Sequence, residues 1–193
     1  MTVKKRTAGA QFTLFPMCDR FVEIILGALD EVDTANVEMK TDDVNTEIRG
    51  SIEDIFDVMQ AVFLHAAKTG EHVALSGTAA IGCPGDKSGM IQLESSGVAL
   101  NQEKSTQIEQ KAGAKFSLYP LGDTDYMKKI EAQIDFSSNP EIKVTPAQGA
   151  TRLDGNANGI FKTLEKSFNN IAEAVDHVSM AFTVSANSPS SKE

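Results

Sequence analysis

Ala8-Gly9-Ala10-Gln11-Phe12-Thr13-Leu14-Phe15-Pro16-Met17 returns 104 positions later as Ala112-Gly113-Ala114-Lys115-Phe116-Ser117-Leu118-Tyr119-Pro120-Leu121. Asp19 then matches Asp123. Downstream the offset becomes 105, pairing Gly50 with Gly155, Phe56 with Phe161, His72 with His177, Thr78 with Thr183 and Pro84 with Pro189. A register kept within one residue to the end of a copy marks an internal duplication. It divides the chain into a first repeat at residues 1–84, a connector at 85–111 and a second repeat at 112–193. The connector is rich in Gly, Ser, Gln, Lys and Glu, with one edge strand expected at 90–93.

Each copy reads as strand, helix, strand, strand, helix, strand. The first strand, near 10–15, places Phe12 and Leu14 on one face by its period of two, and Pro16 is expected to stop its ladder. Asp19 is the expected N-cap of a helix with Phe21, Ile25, Ala28, Leu29 and Val32 on one stripe. Asp123 caps its counterpart, where Met127, Ile130 and Ile134 repeat the stripe. Short strands follow near 37–41 and 45–50, with Asp42-Asp43 as their turn. Their counterparts lie near 141–145 and 148–153, turning at Pro146-Ala147. Ser51-Ile52-Glu53-Asp54 resembles a capping box with Asp in place of Glu. It opens a helix whose inner face carries Ile55, Phe56, Met59, Val62 and Phe63; Ile160, Phe161, Leu164, Phe168, Ile171 and Val175 serve the second copy.

The closing strands decide where function could sit. Val73, Leu75, Gly77, Ala79 and Ile81 alternate with Ala74, Ser76, Thr78 and Ala80; Val178, Met180, Phe182 and Val184 alternate with Ser179, Ala181, Thr183 and Ser185. One face is apolar and suits the helices. The other is small and hydroxyl-bearing, which suits close approach of another sheet or a ligand. The predicted fold class is therefore α+β: tandem ferredoxin-like (ACT-like) βαββαβ repeats, antiparallel sheets with helices on one face.

Composition narrows the partners. The 193 residues are 41% hydrophobic, and 18 Lys and Arg against 27 Asp and Glu give a formal charge of −9. Without a basic excess, neither nucleic acid nor an anionic membrane surface is an expected partner. The most apolar run, 21–32, contains Glu23, Asp30 and Glu31, too polar to span a bilayer. Lys4-Lys5-Arg6 before Ala8-Gly9-Ala10 resembles the start of a secretory signal, but the phrase recurs in mid-chain and reads as structure, so a cytoplasmic protein is expected. Cys18 and Cys83 form no metal-type spacing and read as free thiols.

Catalytic chemistry finds little support. His65, His72 and His177 make no HxH or HxxxH pair, so no metal site is expected, and the equivalent His72 and His177 read as structural rings capping backbone groups. Gly82-Cys83-Pro84-Gly85-Asp86-Lys87-Ser88 superficially resembles a P-loop, but Asp86 stands where a glycine must precede the lysine and would repel phosphate. Asp123-Thr124-Asp125 reads as helix capping. The chain is expected not to be an enzyme, and no cofactor is implied. The shared Gly9 and Gly113 suggest a closely approached backbone, with a strand bulge as the alternative. Thr46 and Thr151 occupy matching places on the third strands, where a hydroxyl could point into a pocket walled by Phe12 and Met39, or by Phe116 and Val144. Arg49 has no twin, Asp154 replacing it, so two such pockets would differ in charge.

Together, Phe12-Thr13-Leu14-Phe15-Pro16-Met17, Lys40-Thr41-Asp42, Arg49-Gly50-Ser51, Leu64-His65-Ala66-Ala67, Gly82-Cys83-Pro84-Gly85-Asp86 and Ser185-Ala186-Asn187-Ser188-Pro189-Ser190 closely resemble the YkoF family. The resemblance covers nearly the whole chain. It implies a cytosolic, homodimeric binding protein for thiamine and its hydroxymethylpyrimidine moiety, with one site per repeat and a link to a precursor transporter. It implies a first site with Phe12, Leu14, Met39 and Thr46, with Arg49 beside it, and a second with Phe116, Leu118 and Thr151. Asp42 and Asp43 could attract the thiazolium cation. No basic phosphate cradle is evident, which argues against the diphosphate as ligand. The dimer surface is expected at Ser76, Thr78, Ser179 and Thr183. The alternative reading is an ACT-like regulatory module binding an amino acid or other small metabolite.

Overall fold

The computed structural model describes residues 7–82, 98–121 and 141–190. The expected helix of the second repeat with its Asp123 cap, the expected strand at 90–93 and Cys83 lie outside them. The first repeat contains β1 (Ala8–Pro16), α1 (Phe21–Asp30), β2 (Glu38–Thr41), β3 (Thr46–Gly50), α2 (Ile52–Ala67) and β4 (Val73–Ile81). A one-turn helix α3 (Gln102–Ser105) follows. The second repeat contains β5 (Lys111–Leu121), β6 (Lys143–Ala147), β7 (Ala150–Asn156), α4 (Ala157–Ala174) and β8 (His177–Ala186).

The fold is ferredoxin-like twice over, but the repeats do not keep separate sheets. The strands form one eight-stranded sheet in the order β2-β3-β1-β4-β8-β5-β7-β6, every neighbour antiparallel. The join is the β4–β8 ladder, nine residue pairs from Val73↔Ala186 to Ile81↔Val178. At its middle Gly77 faces Phe182, and these are the same position in the two repeats. A pseudo-twofold axis therefore passes between them. An axis through a residue pair sets like against like, and two large side chains cannot share that point. Phe182 fills it, and a Cβ on Gly77 would stand 2.7 Å from the Gln11 carbonyl oxygen and 3.1 Å from Phe182 Cζ.

The helices cover one face. Phe56 of α2 meets Phe168 of α4 with ring centroids 6.0 Å apart, and Phe63 meets Phe161 at 5.6 Å. The axis exchanges these two contacts, since Phe56 corresponds to Phe161 and Phe63 to Phe168. Phe182 completes the cluster, 6.2 Å from Phe56. Each of these rings is 3% exposed or less, a burial that contributes roughly 1.5–3 kcal/mol per side chain.

α2 is buried almost all round, because the later part of the connector, with Asn101 and α3, packs against it. Several of its polar atoms there find partners. Ser51 Oγ accepts the Asp54 backbone N–H and donates to Asp54 Oδ2, the expected capping box in modified form. Asp57 Oδ2 accepts from the backbone N–H of Asn101 at 3.0 Å and from its Nδ2 at 2.9 Å. Asn101 also clamps the Asp33 backbone, Oδ1 accepting its N–H and Nδ2 donating to its carbonyl.

Four local expectations change. Arg20, not Asp19, is the N-cap of α1, without a side-chain capping bond. α1 turns Ala28 inward and packs Ile25, Leu29 and Val32 against the core as expected, but it adds Ile24 to the buried face and leaves Phe21 half exposed. The β1 ladder passes through Pro16, and Met17 N–H donates to the His72 carbonyl. By alternation the donor that Pro16 lacks would fall on the other edge of β1, past its last pair with β3. Finally, Pro146-Ala147 lies inside β6 and the turn falls at Gln148-Gly149, where Gly149 takes φ of +69°. β6 is an edge strand, where proline is tolerated.

Candidate functional site

The helix-free face of the central strands carries a groove of about 500 Å³ that the two repeats build jointly. Strand registry explains its shape. One row across the sheet reads Thr13, Ser76, Thr183, Lys115 on β1, β4, β8 and β5; the next reads Gln11, Thr78, Ala181, Ser117. The axis exchanges these rows. Phe15 and Tyr119, twins by sequence, stand at diagonal corners and are 46% and 50% exposed. Short side chains beside the tall Phe15 ring leave a depression. Phe12, Gly77, Phe116 and Phe182 line it too, but their side chains belong to the core, so they lend it backbone.

Hydrogen bonds tie the turns of both repeats to the groove edges in matching ways. Thr13 Oγ1 donates to the Val44 carbonyl at 3.5 Å, and Ser117 Oγ to the equivalent Gly149 carbonyl at 2.7 Å. Asn45 Nδ2 donates to Gln11 Oε1 at 2.9 Å. On the floor, the Ser76 and Thr183 hydroxyls share a hydrogen bond at 2.9 Å across the seam. His72 Nε2 lies 3.1 Å from Ser185 Oγ, so the ring bridges the repeats where a contact to backbone groups was expected.

The charges beside the groove differ between repeats. β3 presents Glu47 and Arg49 where β7 presents Arg152 and Asp154, an inverted order. Asp154 grips Arg152 at 2.6 Å, raising the guanidinium's pKa through that hydrogen bond and the attendant charge. A Cβ on Gly113 would lie 3.2 Å from Arg152 Nη2, so the glycine there admits this pair. At Gly9 the nearest neighbour is at ordinary contact distance. Asp42 bends into its own turn, accepting the N–H groups of Asn45 and Val44, which hold its carboxyl below the ordinary range.

The site residues named from sequence fall on both faces. Phe12 pairs with Thr46, and Phe116 with Thr151, in corresponding registers. Leu14, Phe116, Leu118 and Thr151 are at most 8% exposed on the helix side. Thr46 shares a hydrogen bond with Thr41 at 3.0 Å, and Met39 packs at the core margin. Arg49 lies on the opposite face, across from Gly9. Of the residues expected at a dimer surface, Ser76, Thr78 and Thr183 line the groove. Sequence reasoning saw that the face was small and hydroxyl-bearing. It missed Gln11, Asn45, Lys115 and Ser117 as groove residues; the signal for Gln11, Lys115 and Ser117 was their alternation with Phe12 and Phe116.

Fold and groove together define a class: two fused ferredoxin-like units sharing one sheet, with a ligand-sized polar groove on its open side. The profile of the YKOF-related family matches residues 7–86 and again 111–191. The chain belongs to this family. It is 38% identical over 187 residues, 97% of this chain and 94% of the relative, to "Putative HMP/thiamine-binding protein YkoF" of Bacillus subtilis (strain 168). Among solved structures it is similar to the hypothetical protein MJ1052 of Methanocaldococcus jannascii, with 24% identity, covering 44% of this chain and 86% of that one at TM-score 0.39. Protein SP2199 of Streptococcus pneumoniae matches at 16% identity, covering 38% and 83%, with TM-score 0.35. No helix among the described residues is long and apolar enough to cross a membrane.

Proposed function

We propose that the protein binds thiamine or its hydroxymethylpyrimidine moiety in the groove, without chemical conversion, and serves uptake or salvage of the precursor in the cytoplasm. The observation that carries this is the 38% identity, along nearly the full length of both chains, to a relative named for that ligand. The groove supports it. Its volume suits a one- or two-ring molecule, and strand amides with the hydroxyls of Ser76, Thr78, Ser117 and Thr183 can match an aminopyrimidine edge. Because the axis bisects the groove, each repeat owns one end, and the ends bind with unequal strength.

The groove is preferred over the helix side of Phe12 and Thr46 because the second repeat's counterparts there are packed solid. The protein acts as a homodimer in which Phe15 and Tyr119 touch the second copy and the groove becomes an enclosed chamber. A membrane transporter is its downstream partner. Isothermal titration with thiamine and with the free pyrimidine alcohol tests the reading, with an amino-acid panel as control. Heat is expected from the first two only. Thr183→Val should weaken binding about tenfold or less, the loss of one hydroxyl partner, while Thr46→Val leaves it unchanged. The reverse pattern moves the site to the helix side.

A further inference from the structure

We propose that the second-repeat end of the groove is an anion subsite built on Lys115, and that it receives a phosphate esterified to the ligand whose ring lies on the groove floor. This rests on the ligand-binding reading above. Every groove residue has a twin across the axis, and the difference between Lys115 and its twin Gln11 is the informative one. Gln11 has its amide oxygen engaged by Asn45 at 2.9 Å, and its β3 neighbour is Glu47. Lys115 stands between Thr183 and Arg152. The Arg152 charge is met by Asp154, whereas the Lys115 ammonium has no hydrogen-bond or ion-pair partner among the described residues.

That cation, unmatched among the described residues, belongs to a chain with a formal charge of −9, and it lines a groove that contains no carboxylate among its described lining residues. Next to it, the Ser76 and Thr183 hydroxyls use one proton between them, so the other remains to be donated. An ammonium with an adjacent hydroxyl donor suits a phosphate monoester, whose several oxygens accept from both at once. At the Gln11 end Glu47 would oppose such a group, so the two ends sort ligands by charge as well as by affinity.

The test is a set of titrations with the free pyrimidine alcohol, its phosphate ester and thiamine. The wild-type protein, Lys115→Gln (which copies the first repeat) and Lys115→Arg are compared. We expect the ester to bind the wild type about tenfold more tightly than the alcohol, with an advantage that shrinks as salt rises. Lys115→Gln should abolish this preference, and Lys115→Arg should retain it. An ester no tighter than the alcohol, or a preference that survives Lys115→Gln, overturns the subsite and leaves the ligand reading standing. Silence from all three ligands overturns both.

Discussion

On the helix side of the sheet the repeats mirror each other: Phe56 meets Phe168 as Phe63 meets Phe161. On the open side the same axis relates Gln11 to Lys115, Glu47 to Arg152, Arg49 to Asp154 and Ser76 to Ala181. Buried positions are held by close packing, where a change of one methylene is felt in both copies. Open positions answer only to what lies against them, so there two copies of one ancestor drifted into different chemistry. On the buried side, the difference between Gly77 and Phe182 has its own cause, because there the axis itself forbids likeness.

That contrast can be broken by substitution. Phe182→Ala empties the axis position beneath Phe56 and should cost about 3–5 kcal/mol in urea unfolding. Gly77→Ala pushes a methyl against the Gln11 carbonyl and the Phe182 ring and should cost about 1–3 kcal/mol. Combining Gly77→Ala with Phe182→Leu should cost less than the sum of the two single changes, since the second removes part of the obstacle to the first.

Asp57→Asn should act in the other direction. Burial raises the Asp57 carboxyl above its ordinary value, Asp54 and Asp33 add to the rise, and the Asn101 bonds oppose it only in part. Among the described residues its Oδ1 is buried without a partner, as is Ser105 Oγ. A folded-state pKa above the unfolded one means that the folded protein binds the extra proton. This group's stabilisation is thus full at low pH and is lost as pH rises through the raised value. Asp57→Asn keeps an acceptor for Asn101 and removes the charge. It should gain on the order of 1 kcal/mol at neutral pH and flatten the stability profile in acid. The smallest effect is expected from Ser76→Ala, which gives the first repeat the residue its twin already has. Melting should change by less than about 1 kcal/mol, while ligand titration reports whether the Thr183 partnership matters.

The duplication was legible because it needs no local rule: two phrases in register imply two like units, and both appear. Alternation in 73–81 and 178–185 likewise foretold which face the helices would cover. What stayed hidden was the pairing of β4 with β8, since nothing in either strand says that its neighbour comes from the other repeat. Thr183 could be read as small and polar, but not as lying 2.9 Å from Ser76. Pro146 misled because its effect depends on being at a sheet edge, a fact of topology. Asp19 misled because capping is decided by backbone entry into α1, where Arg20 takes the position.

The Gly77–Phe182 pair also carries a historical meaning. Two first repeats brought together in the same way would face glycine with glycine and leave a hole at the centre of the sheet. Two second repeats would drive ring against ring. Neither half can now be its own mate, so a fusion that began between equals has become a marriage of complements, and separation of the halves is no longer reversible by simple self-pairing.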